Sequence, residues 1–396
     1  MNKYKIISKL FSLSIVISIL AVQAVGVIAY ISGIETQVFT SIFRVGVAFI
    51  LIYLIISSIN FGIKKKTLLN TGLIFLIIYS IKVIYELGIN SNLYPISTVH
   101  EYFQIFVILC FIPYLGALYY SHQVSENIGQ IILFLSVIMV FSYIFIFISV
   151  GFFLGNRLNY IETLAPIPVS YLGAFVFCML LNKILDKGTY YKNNVRVAVF
   201  IVMSTSLVFV LIIGQRQSVL ALIIVSLIIL YSKQVLSIKN IVILSLPFLI
   251  SFFLIIPYYD LDTRSITRLQ GTLVNIEGEG RIDRYATSIQ MFIREPILGN
   301  RIKIIEGLNE YYPHNLLFEA FMSTGIMGGS IFMVFYVSTV KKAYNLLIRI
   351  GTKYSWIPIL FLITAIWALL SSNLISHTTF WVMSGLVINQ NYRNNI

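Results

Sequence analysis

The chain has 396 residues, 58% of them hydrophobic and only 11% charged, with a formal net charge of +13. Soluble domains carry roughly a quarter charged residues, so the composition excludes an ordinary soluble enzyme and indicates an integral membrane protein. The basic residues are dispersed between apolar runs rather than gathered on one face, which argues against a nucleic-acid partner.

Apolar runs approaching the roughly 20 residues that cross a bilayer recur at about 6–30, 38–57, 67–87, 101–120, 129–153, 163–182, 196–213, 217–232, 240–256, 313–338, 354–372 and 378–389. The expected fold class is therefore all-α: a polytopic membrane bundle of about twelve transmembrane helices, forming one domain over 1–396. The basic N-terminal segment reads as the first helix rather than a cleaved signal, because its apolar run continues to Tyr30 without a small-residue cleavage site. With the N-terminus inside, Lys3, Lys5, Lys9, Lys64 to Lys66, Lys183, Lys187, Lys192, Arg196, Lys233, Lys239, Lys341, Lys342, Arg349, Lys353 and Arg393 fall on the cytoplasmic side. The short outer loops hold only Arg157 and Arg216, so the positive-inside rule places both termini in the cytoplasm.

One outer segment, residues 257–312, is long and polar. Long loops translocate regardless of charge and are usually functional. Within it GRIDRYATSIQMFIREP puts Ile282, Tyr285, Ile289, Phe292 and Ile293 at helical spacing, with Arg281, Arg284 and Ser288 on another face and Pro296 ending the run. That pattern predicts a short helix lying on the outer membrane interface.

Ionisable groups inside hydrocarbon are costly and mark function by default. Here they are Arg44, Lys82, Glu86, Arg216 and Glu319, all in the outer half of the membrane, which suggests a pocket open outward rather than a midplane transport site. Lys82 and Glu86 have the spacing of an intrahelical ion pair, and Arg44 has the option of snorkelling to headgroups. Arg216, in GQRQS, interrupts two apolar runs and has no acidic neighbour in sequence. Pro313 suits the first position of a helix, placing His314 at its outer end, either as an interfacial cap or as a working imidazole. Asn315 and Glu319, four apart, share a face and suit mutual hydrogen bonding. His377 reads as an outer turn. The Asp260-Leu-Asp262 pattern is too short to indicate a metal site. Cys110 and Cys178 lie in apolar runs, so no disulfide, thiolate or redox centre is indicated.

Taken in order, these residues resemble the O-antigen polymerase and O-antigen ligase superfamily of integral-membrane glycosyltransferases (the Wzy-type group). The matching features are Arg216 at an outer turn, Gly280-Arg281 opening a loop helix, EPILGN at 295–300, and His314-Asn315 before a glycine-rich span with Gly325, Gly328 and Gly329. They lie between Gln215 and Gly329. The resemblance implies a metal-independent, cofactor-free, inverting glycosyltransferase of the bacterial cytoplasmic membrane. Its substrates are undecaprenyl-diphosphate-linked oligosaccharides, as donor and acceptor, used at the outer or periplasmic face in building lipopolysaccharide, capsule or a related glycan.

Arg216 and Arg281 then become the groups that stabilise the departing diphosphate, and His314 the general base for the acceptor hydroxyl, kept neutral by neighbouring cations. Arg284, Asn315, Glu319, Arg44, Lys82 and Glu86 are the candidate substrate contacts. Polymerase is favoured over ligase because such polymerases often keep only this reduced motif set; a lipid-linked oligosaccharide flippase is the more distant alternative. Membrane lipid, a chain-length regulator and a flippase are the further expected partners.

Overall fold

The computed structural model of the protein describes residues 2–32, 36–59, 70–121, 124, 127–149, 166–186, 192–213, 215–235, 280–349 and 354–390. The predicted span 240–256, the first part of the outer loop, Arg157, Asp260 and Asp262 lie outside them.

The described chain is an assembly of apolar helices: α1 (Asn2–Ser32), α2 (Thr36–Ile59), α3 (Thr71–Ile89), α4 (Val99–Phe106), α5 (Ile112–Tyr120), α6 (Ile128–Ser149), α7 (Pro166–Ile184), α8 (Asn193–Ile213), α9 (Arg216–Ser232), α10 (Gly280–Arg294), α11 (Leu316–Arg349), α12 (Trp356–Ser371) and α13 (Thr378–Asn389). Six helical segments among the described residues are long and apolar enough to cross a membrane. Shorter apolar stretches run Thr40–Ile56, Pro168–Ile184, Arg216–Ser232, Trp356–Ser371 and Thr378–Asn389. Large apolar side chains such as Phe49, Phe134, Phe145 and Val334 stay exposed on the outer faces, as expected where lipid tails replace water as solvent.

α4 and α5 are one helix interrupted by a π turn at Val107–Phe111. The core around α3, α5, α11 and α13 is aromatic: Phe335 stacks on Trp381 with centroids 5.7 Å apart, and Tyr114 meets Phe335 edge-on at 5.9 Å. These rings fix which face of each helix turns inward, because offset and edge-on pairs have preferred geometries.

α11 has 34 residues, about 50 Å at a rise of 1.5 Å per residue, well beyond a hydrocarbon core of about 30 Å. It does not run straight. Gly325 adopts φ 63°, ψ −160°, which breaks the helix, and the gap is filled by the EPILGN segment. Asn300 N donates to the Met322 carbonyl at 2.8 Å, and Ile326 N donates to the Pro296 carbonyl at 2.7 Å. Helical pairing would have joined Ile326 to Met322; the loop supplies each with a substitute partner, so the break leaves neither of these backbone groups unpaired. Gly299, itself at φ 77°, lies against Gly325.

Gly325 thus accommodates a loop, while Ile78 of α3 comes within 3.3 Å of where a Cβ on Gly328 would lie. The loop also contains a small antiparallel hairpin, β1 (Ile304–Glu306) and β2 (Asn309–Tyr311), with Ile305 opposite Glu310. Its tight turn is made possible by Gly307 at φ 62°, a left-handed conformation that glycine adopts without steric penalty.

Candidate functional site

The loop helix α10 leans on α11. Tyr285 meets Phe318 edge-on at 5.1 Å, and Phe292 meets Phe321 at 5.5 Å. Ile282, Ile289 and Ile293 remain exposed, so the apolar stripe is divided between α11 and the outside. Ser288, expected on the polar face with Arg281 and Arg284, is instead buried, its hydroxyl donating to the Tyr285 carbonyl at 2.8 Å.

This packing brings Arg281 and Arg284 to His314. The imidazole is pushed below the ordinary histidine value by burial first, then by the Arg284 and Arg281 guanidinium groups. Arg284 lies over the Tyr311 ring, 4.4 Å from its centroid, so an aromatic face holds its planar head near the imidazole. His314 is in the left-handed region, φ 59°, one of two non-glycine residues with positive φ among the described residues. Such strain persists where surrounding structure enforces it, and clusters at functional sites.

That same backbone turn corrects the expected helix start. α11 begins at Leu316, not Pro313, because His314 is not helical. Asn315 is the cap: its Oδ1 accepts from Leu317 N at 2.9 Å and Phe318 N at 3.2 Å, satisfying N–H groups that a helix end leaves unpaired. Its side chain therefore does not hold Glu319, as the four-residue spacing suggested. Glu319 is fully buried and has other partners: Oε2 accepts from Leu374 N at 2.9 Å, and Tyr79 Oη donates to Oε1 at 3.4 Å. Tyr79 continues to Tyr102 at 2.8 Å. Glu319 is thus a joint tying α11 to α3 and to the turn before α13.

Lys82 and Glu86 pair at 2.9 Å. Lys82 also donates to the Gly299 carbonyl at 2.9 Å, and Glu86 accepts from Tyr94 Oη at 3.0 Å. Both charges are satisfied within the protein: Lys82 holds the EPILGN segment against α3, and Glu86 neutralises Lys82 and anchors Tyr94. They line a cavity of about 620 Å³ with Asn90, Asn300 and Arg301. A second clamp fixes the hairpin. Glu310 accepts from Lys303 Nζ and Ile96 N, each at 2.8 Å, and from Ser97 N at 2.9 Å, with a further bond from the Ser97 hydroxyl. Burial alone would raise the Glu310 carboxyl; the bonds from Lys303, Ser97 and Ile96 outweigh it and bring it to about 2.

Arg216 opens α9, half-buried, and is not among the charges acting on His314. Arg44 lies elsewhere in the bundle, lining a separate cavity with His377. The structure therefore gathers His314, Arg281 and Arg284 electrostatically, uses Asn315, Glu319, Lys82 and Glu86 as internal ties, and sets Arg44 apart. Sequence reasoning missed the roles of Lys303, Glu310 and Tyr79; the signal available was only that a lysine and a glutamate flank a glycine turn. Among the described residues no group of three or more His, Cys, Asp and Glu side chains is placed to hold a metal ion. Compared with protein-family models and with curated proteins, the chain matches none.

Proposed function

We propose that the protein is a surface-polysaccharide polymerase that joins undecaprenyl-diphosphate-linked oligosaccharide units at the outer face of a bacterial cytoplasmic membrane. The observation that carries this reading is the His314–Arg281–Arg284 cluster at the start of α11: a strained, partly buried imidazole whose protonation two guanidinium groups oppose. An imidazole kept neutral is suited to accept a proton from a hydroxyl near pH 7.

In this reading the acceptor hydroxyl oxygen attacks the anomeric carbon of the donor sugar. The bond from that carbon to the diphosphate oxygen breaks, its electron pair leaves with the diphosphate, and His314 takes the hydroxyl proton. Attack opposite the leaving group inverts the anomeric configuration. Arg281 and Arg284 stabilise charge that increases on the diphosphate in the transition state, so their effect is larger there than in the ground state. Arg216, at the start of α9, is assigned to the same anion, and no metal or cofactor is needed. The proposal includes about twelve spans, with both termini cytoplasmic and the 257–312 loop outside.

Gene deletion in the native host, read as surface glycan on a gel, tests it. Loss of the long ladder with a single repeat still attached to its carrier is expected. Accumulation of finished lipid-linked polymer would instead indicate a ligase, and repeat units trapped on the cytoplasmic side a flippase. Restoration of normal chain lengths by His314→Ala at normal protein level would overturn the mechanism.

A further inference from the structure

A second polar site lies inside the bundle, away from the His314 cluster. A cavity of about 200 Å³ is bounded by α1 at Ile17 to Gln23, by α2 at Phe43, Arg44 and Val47, by the π turn, by Trp367 of α12, and by Ser376 to Thr379. Its chemistry is unusual for a membrane interior. Arg44 has no ion-pair partner among the described residues. His377 is 4% exposed and lies tilted against Trp367 with centroids 4.2 Å apart; its ring bonds the Thr364 backbone, while its Nε2 has no hydrogen-bond partner. The Trp367 Nε1 is likewise buried and unpartnered.

Each buried unpartnered nitrogen costs of order 1–3 kcal/mol when left unsatisfied, so two of them beside one guanidinium around a single cavity indicate something that satisfies them together. The arrangement selects an anion with hydrogen-bonding oxygens. Arg44 supplies positive charge and forked donors. Trp367 supplies an N–H that donates and cannot accept, which beside the Arg44 guanidinium favours an anion over a cation. His377 is also the N-cap of α13 and makes no side-chain capping bond, so the first N–H groups of that helix add to the field favouring an anion. The π turn that contributes Ile108 and Leu109 is a helix defect of a kind frequent at functional sites.

Size and surroundings narrow the ligand. At about 30 Å³ per water, the cavity has room for a phosphate or diphosphate group and not for an oligosaccharide. Ile17, Val22 and Phe43 on its rim are partly exposed, next to the exposed apolar Ile42, Val45 and Phe49 of α2, which suits a hydrocarbon tail leaving the site between α1 and α2. We propose that the Arg44–His377–Trp367 cavity binds a terminal phosphate or diphosphate carried on a lipid. Naming that lipid as the carrier released by glycosyl transfer rests on the function proposed above; the anion chemistry does not. Tyr171 stacks on Trp367 at 4.8 Å and is within electrostatic reach of Arg281.

The test uses the full chain in lipid nanodiscs and measures binding of farnesyl diphosphate, inorganic diphosphate and farnesol. Farnesyl diphosphate is expected to bind best. Arg44→Gln and His377→Gln are each expected to weaken it at least about tenfold, the scale of one lost charge-assisted hydrogen bond, with Arg44→Lys intermediate and Lys341→Gln, at an exposed position of α11, unchanged. If His377→Gln fails to give monodisperse protein, Arg44→Gln, at a half-buried position, decides alone. Equal binding of inorganic diphosphate would overturn the lipid source, and equal binding of farnesol would overturn the anion. Loss on Arg281→Gln but not on Arg44→Gln would move the anion to the outer site, ending this proposal while leaving the glycosyl-transfer reading intact.

Discussion

Substituting Gly325 by alanine tests the loop-into-helix clasp. The residue sits at φ 63°, ψ −160°, a region nearly confined to glycine that costs about 1–3 kcal/mol for another residue. A Cβ there would also lie 2.3 Å from the Ile297 carbonyl oxygen and 2.6 Å from Gly299 N. Those are backbone atoms of a segment pinned by Lys82 and by the Asn300–Met322 bond, so they yield little, and overpacking adds about 1–3 kcal/mol. The total is about 2–6 kcal/mol, and Gly299→Ala carries a similar load, with its Cβ 2.4 Å from Ser323 backbone. Two internal controls separate the terms. Gly307→Ala has positive φ and nothing within 4 Å, so it pays the backbone cost alone, about 1–2 kcal/mol. Gly46→Ala, in a helix with nothing within 4 Å, gains about 0.5–1 kcal/mol. Unfolding of the purified protein by SDS titration gives the ranking. A loss of stability in Gly325→Ala and Gly299→Ala no greater than in Gly307→Ala would refute the clasp.

Two further outcomes follow from the charges. His314 titrates below the ordinary histidine value through burial, Arg284 and Arg281, and a base works in its neutral form, so activity persists below the ordinary histidine pKa and fails only as pH falls through the depressed value. Arg284→Gln removes one cause and raises the imidazole towards its ordinary value, so the acid limb of the pH–rate profile moves to higher pH; an unmoved limb contradicts the cluster. Glu310, brought to about 2 from an ordinary 4.5, contributes stability that is full above pH 4.5 and lost as pH falls through about 2. Glu310→Gln leaves Lys303 buried without its counter-charge, a loss of about 3–5 kcal/mol, read as faster proteolysis of the hairpin at neutral pH; unchanged cleavage would show that the clamp contributes nothing.

Hydropathy reads the helices well because lipid obliges each apolar run to satisfy its backbone within itself. The last helix illustrates this: the expected 378–389 is the observed Thr378–Asn389. What depends on contacts between distant segments was not legible. Gly325 in a glycine-rich helix has the pattern of a packing glycine, and only the approach of Ile297 shows it to be a break. Pro313 has the signature of a helix start, but the left-handed turn at His314 moves the start to Leu316 and gives Asn315 the cap. Of the candidate cluster, the pairing of Arg281 with Arg284 was legible, because their spacing puts them one turn apart on α10, whereas their approach to His314 depends on how α10 packs against α11. His377 was not, since its neighbours Arg44 and Trp367 are hundreds of residues and several residues away respectively, joined only by the fold.

The central claim is tested most directly by reconstitution. The purified chain is placed in liposomes with undecaprenyl-diphosphate-linked repeat units from its own host, and product length is followed by gel. A ladder of lengthening lipid-linked glycan is expected from the native chain without added metal, and none from His314→Ala or Arg281→Gln protein that remains monodisperse. Wild-type elongation by His314→Ala, or no elongation by the native chain while single units are consumed onto a different acceptor, would contradict the account.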